Sequence, residues 1–322
     1  MAFNFHLRYQ LLLFLVHFSF CSASYSYDFY GASCPSAELI VSSAVRTAAL
    51  NDPTIPGKLL RLLFHDCFVE GCDGSVLLQG NKTERSDPAN ESLGGFEVID
   101  SAKSTLELIC PGIVSCADIV ALAARDAVSV TGGPSVKIPT GRRDGRRSSK
   151  SNVRENIVDT SFGIHDMAKI FASKGLSLND IVTLSGAHTI GSTHCDAFSD
   201  RFEEDSHGNL RLTDADMDSE FADELMKVCP ADASSSTTVH NDAETPFAFD
   251  NQYFRNLVAH RGLFQSDSAL LNDANTRKLV EDYAADEDKF FADWNLSFFK
   301  LTSVGVKVDD EGDVRQLCSS LN

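Results

Sequence analysis

The chain is short of positive charge: 28 lysines and arginines stand against 46 aspartates and glutamates, for a formal net charge of −18. So acidic a surface repels nucleic acid and anionic lipid, and neither is expected as a partner. Several catalytic motifs are also missing. There is no HExxH of a zinc hydrolase, no GxGxxG or GxxxxGK to cradle a nucleotide, no GxSxG nucleophile elbow and no CxxCH. Alternating strand patterns are scarce, and no internal repeat, low-complexity block or linker interrupts the chain. Beyond the first two dozen residues no segment is long and apolar enough to span a bilayer.

The opening residues hold a single charge, Arg8, then an apolar run from Leu11 to Phe20 and the small-residue stretch Cys21-Ser22-Ala23-Ser24. That order reads as a secretory signal over residues 1–24, cleaved near Ala23 or Ser24, and the run is too short for an anchor. Residues 25–322 are then expected to form a single extracellular domain. With Cys21 gone, eight of the nine cysteines remain: Cys34, Cys67, Cys72, Cys110, Cys116, Cys195, Cys229 and Cys318. An even count in an exported chain implies a disulfide framework, although spacing alone leaves the connectivity open. Cys67 and Cys72 are near enough for a local loop, and the absence of CxxC speaks against zinc. Asn81-Lys82-Thr83, Asn90-Glu91-Ser92 and Asn295-Leu296-Ser297 match the N-glycosylation sequon.

Apolar residues recur with a period near 3.6 over 38–50, 58–69, 96–109, 116–130, 164–174, 178–190, 220–228, 251–260 and 275–301. Ser177 and Asn275 occupy N-cap positions, and Gly132-Gly133-Pro134 and Gly141 punctuate the runs. The pattern predicts an all-α fold large enough for two lobes around a cofactor. Within the second run, Arg61-Leu62-Leu63-Phe64-His65-Asp66-Cys67 puts a fixed cation and an imidazole one helical turn apart on one face. A cleft holding that pair can take a proton from a small acidic substrate through His65 while Arg61 stabilises the charge appearing as a bond breaks, which is the chemistry of splitting a peroxide. The plainer reading is a solvated arginine beside a packed histidine. A zinc reading of His65, Cys67 and Cys72 is weakened by the oxidising compartment, which favours S–S bonds over thiolates.

Longer motifs decide between these readings. The stretch from Arg61 through Phe68-Val69-Glu70-Gly71-Cys72-Asp73-Gly74-Ser75 resembles the distal signature of the plant secretory (class III) haem peroxidases, and Asp180-Ile181-Val182-Thr183-Leu184-Ser185-Gly186-Ala187-His188-Thr189-Ile190-Gly191 resembles their proximal signature. The resemblance continues through Ser115-Cys116-Ala117-Asp118-Ile119, Gly141-Arg142-Arg143-Asp144, Thr245-Pro246-Phe247-Ala248-Phe249-Asp250-Asn251 and Gly262-Leu263-Phe264-Gln265-Ser266-Asp267. It implies the plant-type peroxidase fold, with distal and proximal helical lobes enclosing haem b, held by an axial side chain and a pocket because no CxxCH is present.

Residue by residue, the resemblance implies that His188 is the axial ligand and Asp267 the carboxylate that orients it and makes it more electron-donating. On the opposite side His65 would move the peroxide proton, Arg61 would stabilise the departing charge and Phe64 would wall the pocket. An asparagine keeps the distal histidine's Nδ1 occupied in this family, with Glu84 in its network. Asn90 follows Glu84 by the expected spacing, whereas counting back from Gly95 gives Ala89. Two calcium ions are implied: one held by Asp66, Asp73 and Ser75 with the Val69 and Gly71 carbonyls, the other by Thr189, Asp242, Thr245 and Asp250 with the Ala248 carbonyl, mixed oxygen sets that suit a hard cation. The family pairs Cys34 with Cys110, Cys67 with Cys72, Cys116 with Cys318, and Cys195 with Cys229; Asp118 and Arg142 match a structural ion pair.

One departure touches donor choice. Where the family usually carries Asn-Leu-Pro-x-Pro at the haem edge, this chain has Asn156-Ile157-Val158-Asp159-Thr160, so Val158 stands in the substrate-shaping position. The expected activity is reduction of hydrogen peroxide to water with one-electron oxidation of small phenolic donors, by a secreted monomer of the cell wall or extracellular space. The alternatives are a non-catalytic haem- and calcium-binding extracellular protein, and a zinc-dependent secreted hydrolase.

Overall fold

Helix covers most of the chain from Ala37 onward because the 3.6-residue apolar period is met by local capping chemistry. The computed structural model describes residues 25–322, so the expected export signal lies outside the described residues. The first lobe contains α1 (Ala37–Asn51), α2 (Ile55–Val69), α3 (Phe96–Ile109), α4 (Cys116–Val130) and the single turn α5 (Val153–Asn156). The second contains α6 (Ile164–Ser173), α7 (Leu178–Ser185), α8 (Ser219–Val228), α9 (Gln252–Val258), the short α10 (Gln265–Ser268), α11 (Ala274–Ala285) and α12 (Glu287–Leu301). Four three-residue strands form two antiparallel ribbons, β1 (Ser192–His194) with β4 (Thr238–His240) and β2 (Phe202–Glu204) with β3 (Leu210–Leu212).

Helix α4 is the spine of the first lobe. Its alanines Ala117, Ala121, Ala123, Ala124 and Ala127 are all buried, and their small side chains allow α1 and α2 to close on it. One apolar core runs from α1 through both lobes to Phe290, Trp294 and Phe298 on α12, while a smaller cluster of Phe198, Phe221, Leu225, Leu263 and Phe264 surrounds the Cys195–Cys229 bond. The other disulfides are Cys34–Cys110, Cys67–Cys72 and Cys116–Cys318, the pairing that the family resemblance implies. Cys116–Cys318 spans 202 residues and ties the end of the chain to the start of α4.

Two helical runs break where periodicity alone reads them as continuous. The run 275–301 divides at Asp286, which is extended (φ −139°, ψ 99°) and turns its carboxylate to accept from the Lys289 N–H at the start of α12. Asp273, not Asn275, caps α11, because its carboxylate reaches the Asn275 and Thr276 N–H groups. The run 178–190 begins with Ser177 and Asp180 in a reciprocal capping box but ends at Ser185. The chain then tightens into a 3-10 turn over Gly186–Thr189, which aims His188 away from the helix face. Gly186 lets the Phe290 ring pack against this turn, since a Cβ there would lie 2.7 Å from that ring. The backbones of Gly57 and Gly191 also touch, a Cβ on Gly57 coming within 2.6 Å of the Gly191 Cα, so the start of α2 is brought against the turn that carries His188.

The Asp118–Arg142 pair is fully buried at 2.7 Å and saturated: Asp118 also accepts from Tyr30 Oη and the Gly141 N–H, and Arg142 donates to the Pro139 and Thr302 carbonyls. Removing one member leaves an uncompensated buried charge, whereas removing both does not. Asp118→Ala is therefore expected to cost about 3–5 kcal/mol of stability, measured by denaturant unfolding; a midpoint equal to wild type would show that the pair does not brace the lobe.

Candidate active site

Helix α2 carries Arg61, Phe64 and His65 toward the second lobe. His65 is buried, and its Nδ1 lies 2.6 Å from Asn90 Oδ1. The asparagine is held in turn, because its Nδ2 donates to the Glu84 carbonyl at 2.9 Å; that bond fixes which end of the amide faces His65. An oxygen acceptor puts the proton on Nδ1 and leaves Nε2 with its lone pair free. Burial first, and Arg61 second, push the imidazole pKa down to about 3, so the ring is neutral at any ordinary pH. Of the two registers open in the sequence, the structure puts Asn90 against His65, while Ala89, partly buried against the core, offers its carbonyl to Arg61. The link from Glu84 runs through its backbone carbonyl and not its carboxylate.

Arg61 donates to Ser92 Oγ at 2.9 Å and to the Ala89 carbonyl at 3.1 Å, so the turn that presents Asn90 also aligns the guanidinium. Arg61 reaches solvent, yet protein surrounds it on most sides, and burial lowers its pKa. Phe64 packs 4.1 Å from the Phe68 ring and edge-on to His65, forming an apolar wall beside the imidazole.

Across from this face, His188 Nδ1 lies 2.8 Å from Asp267 Oδ1. Asp267 is buried, and burial acts to raise its pKa; the charge and hydrogen bond of His188, the Phe264 N–H and Tyr253 Oη outweigh it and hold the carboxyl below the ordinary range. The His188 ring is 36 % exposed even though its inner nitrogen is fixed, and Phe264 and Tyr253 stand edge-on beside it. Among the described residues no protein group bonds His188 Nε2. A histidine anchored on one nitrogen and open on the other is the donor arrangement an axial haem ligand requires, so the residues present fit that group.

Oxygen donors gather beside each histidine. Asp66, Asp73 and Ser75 are all buried; Asp66 accepts from the Gly74 and Val76 N–H groups, and Asp73 accepts from the Ser75 N–H and pairs with Lys307. Ser75 Oγ and both carboxylate oxygens of Glu84 are buried with no hydrogen-bond partner. Burial and then Asp73 push the Asp66 carboxyl well up, and burial and then Asp66 push Glu84 up to about 9, the sign of carboxylates crowded together away from water. Ser75 sits close enough to ease the Glu84 charge but not in hydrogen-bonding geometry. On the other side, Thr189 Oγ1 reaches Asp250 Oδ1 at 3.0 Å and the Ala248 carbonyl at 3.5 Å, while Thr245 Oγ1 bridges Asp242 and Asp250 at 3.2 Å each. Each set combines two carboxylates with hydroxyl and carbonyl oxygens, the chemistry of a calcium site. The zinc alternative fails on its ligands: Cys67 and Cys72 are bonded to each other, and no group of three or more His, Cys, Asp or Glu side chains suited to a metal occurs among the described residues.

Comparison with known proteins supplies the remaining observation. The peroxidase family model matches residues 41–286. Peroxidase 46 of Arabidopsis thaliana is 59 % identical over 313 residues, covering 97 % of this chain and 96 % of that protein. Peroxidase 18 of the same plant is 57 % identical over 312 residues (97 % and 95 %), and its Peroxidase 13 is 43 % identical over 319 (97 % of each). The chain belongs to the plant secretory (class III) peroxidases. It is a haem enzyme that takes hydrogen peroxide and a reductant as substrates, and a non-catalytic reading is not favoured.

Several features of this peroxidase were invisible in its sequence. Tyr253, whose hydroxyl donates to Asp267 at 2.8 Å, lies in a stretch with no motif signal, and Ser92 gives no sign of contacting Arg61. The Asn90 sequon is buried, and the amide is committed to His65 and Glu84, whereas Asn81 is exposed. Val158 is half-buried against the core, on a segment fixed by the Thr160 carbonyl accepting from the Ser266 N–H at 2.8 Å and Thr160 Oγ1 donating to the Ala197 carbonyl at 2.8 Å. Asn90→Ala leaves a buried imidazole N–H without its acceptor, and is expected to cost about 1–3 kcal/mol; unchanged denaturant stability would show that Nδ1 does not depend on that oxygen.

Proposed function

We propose that this peroxidase binds haem b between the lobes through His188 and uses His65 and Arg61 to split hydrogen peroxide, with the oxidising equivalents passed one at a time to small phenolic donors at a haem edge bordered by Val158. The observation that carries the reading is the free Nε2 of a buried, neutral His65 whose other nitrogen is locked by Asn90. Haem supplies the redox chemistry when bound. His65 Nε2 accepts the proton of the attacking peroxide oxygen and delivers it to the departing one, so a single residue acts as base and then acid. Arg61, aligned by Ser92 and Ala89, supplies fixed positive charge where negative charge builds up during cleavage of the O–O bond. Phe64 narrows the space, and Asp267 holds His188 in one tautomer and orientation. Overall, hydrogen peroxide and two phenols give two waters and two phenoxyl radicals.

Calcium ions at the two oxygen sets would neutralise Asp66 with Asp73 and Asp242 with Asp250, and brace the chain immediately beside His65 and His188. Residues 1–24 act in this reading as an export signal and residues 25–322 as a single monomeric domain of the cell wall or extracellular space, with roles in cross-linking wall phenolics and removing peroxide. No described helix is long and apolar enough to cross a membrane.

His65→Leu is expected to slow the peroxide reaction about 10²–10⁴-fold while haem stays bound, because base and ligand are different residues. Stopped-flow absorption after peroxide addition measures it, and a rate near wild type would remove the assigned role. Chelation of calcium is expected to lower the melting temperature by about 5 °C or more, as loss of a ligand bound well above its Kd requires; a melting curve indifferent to chelator would remove both ions from the reading.

A further inference from the structure

Asp267 serves more than His188. Its Oδ1 accepts from His188 Nδ1 and from Tyr253 Oη, both at 2.8 Å, and its Oδ2 accepts from the Phe264 N–H at 3.0 Å. All three donors converge on a carboxylate that is 3 % exposed. We propose that Tyr253 is a positioning residue that sets the electron-donating strength of His188 by sharing the same carboxylate oxygen. This rests on His188 being the axial ligand, as argued above.

The physical case is competition for one acceptor. A carboxylate draws the Nδ1 proton toward itself and gives the imidazole imidazolate character, which strengthens its bond to a metal on the other nitrogen. A second donor on the same oxygen takes up part of that accepting capacity and restrains the pull. Tyr253 is well placed for it: the residue is 3 % exposed on α9, its ring meets His188 edge-on at 5.8 Å and Phe254 at 5.0 Å, and its hydroxyl donates to Asp267 with the Ser185 side chain beside it. Burial and the adjacent Asp267 charge keep the phenol protonated and hence a donor. Phenylalanine would keep the ring, its packing and its burial while deleting only the donor.

The test compares haem-loaded wild type with Tyr253→Phe by resonance Raman spectroscopy and redox titration. The expected result is a higher iron–histidine stretching frequency and a ferric/ferrous equilibrium moved about three- to tenfold toward ferric, where tenfold corresponds to about 59 mV. A residue that merely satisfied a buried carboxylate would lower stability and leave both readouts in place, and that outcome overturns the proposal. Placing the Tyr253→Phe change in an Asp267→Asn background should abolish its effect, since the hydroxyl acts through the carboxylate; a shift that persists there also overturns it. Replacing Tyr253 by 3-fluorotyrosine, a stronger donor of nearly the same size, should move both readouts the other way, and keeps the proposal open to refutation should Tyr253→Phe fail to take up haem. If His188→Ala retains the wild-type iron–histidine band, the axial assignment falls, and this proposal with it; if that band is lost while Tyr253→Phe changes nothing, this proposal alone falls.

Discussion

The site depends on where two protons sit. His65 and His188 each give the Nδ1 proton to a buried oxygen, so each has only Nε2 left to act with. The two acceptors differ in charge, and the difference divides the labour. Asn90 is neutral and orients His65 without making it strongly basic, which suits the proposed role of accepting a proton and then releasing it. Asp267, its carboxyl held below the ordinary range, is ionised and pulls on the His188 proton, which suits the proposed role of an axial ligand that donates electron density. Exchanging the two acceptors would give a base reluctant to return its proton and a weak ligand.

Neither acceptor is free to turn. Asn90 is pinned by the carbonyl of Glu84, which stands six positions before it and just ahead of the turn presenting Asn90 and Ala89. The same Glu84 points its unpartnered carboxylate toward Ser75 and Asp66, so the oxygen set beside α2 and the orientation of the proposed base share one residue. The proximal side repeats the logic with different parts: Thr189, next to His188, bonds to Asp250, and Asp250 caps the start of α9 through the Gln252 N–H. Helix α9 in turn brings Tyr253 to Asp267. The two oxygen-rich sets and the orientation of the imidazoles are thus mechanically joined in each lobe.

How much of this was legible in the sequence follows the range of the interactions. Helices α3 and α4 begin and end where the apolar period does, because Gly95 and Ser115 punctuate the chain locally. The break at Asp286 was hidden, since an aspartate followed by Glu287 and Asp288 is as compatible with a solvated helix face as with an N-cap until the extended φ/ψ is seen. Contiguous signatures around His65 and His188 carried the chemistry, and Asp267 was marked by its own short motif. Tyr253 and the Arg61–Ser92 bond join segments with no shared signal, so only the folded chain brings them into view. The choice between Asn90 and Ala89 was a matter of one residue in a turn; the 3-10 turn, whose Ala89 N–H donates to the Asp87 side chain, brings the Asn90 amide to His65.

The segment carrying Val158 shows why a departure from the family's sequence need not alter the site. Proline at that position would stiffen the chain through its ring. Here the stiffness has another source: Thr160 is bonded on both sides, by its carbonyl to the Ser266 N–H and by its hydroxyl to the Ala197 carbonyl, and Ser266 immediately precedes Asp267. The rim is therefore fastened to the same short helix that holds His188 in place. What changes is the surface of the segment, a half-buried branched side chain followed by the exposed Asp159, which is where the proposed function would have a donor dock. In the proposed function such an edge would select among donors by shape and charge, while the residues proposed to split the peroxide, on α2 and its adjoining turn, are untouched by the exchange.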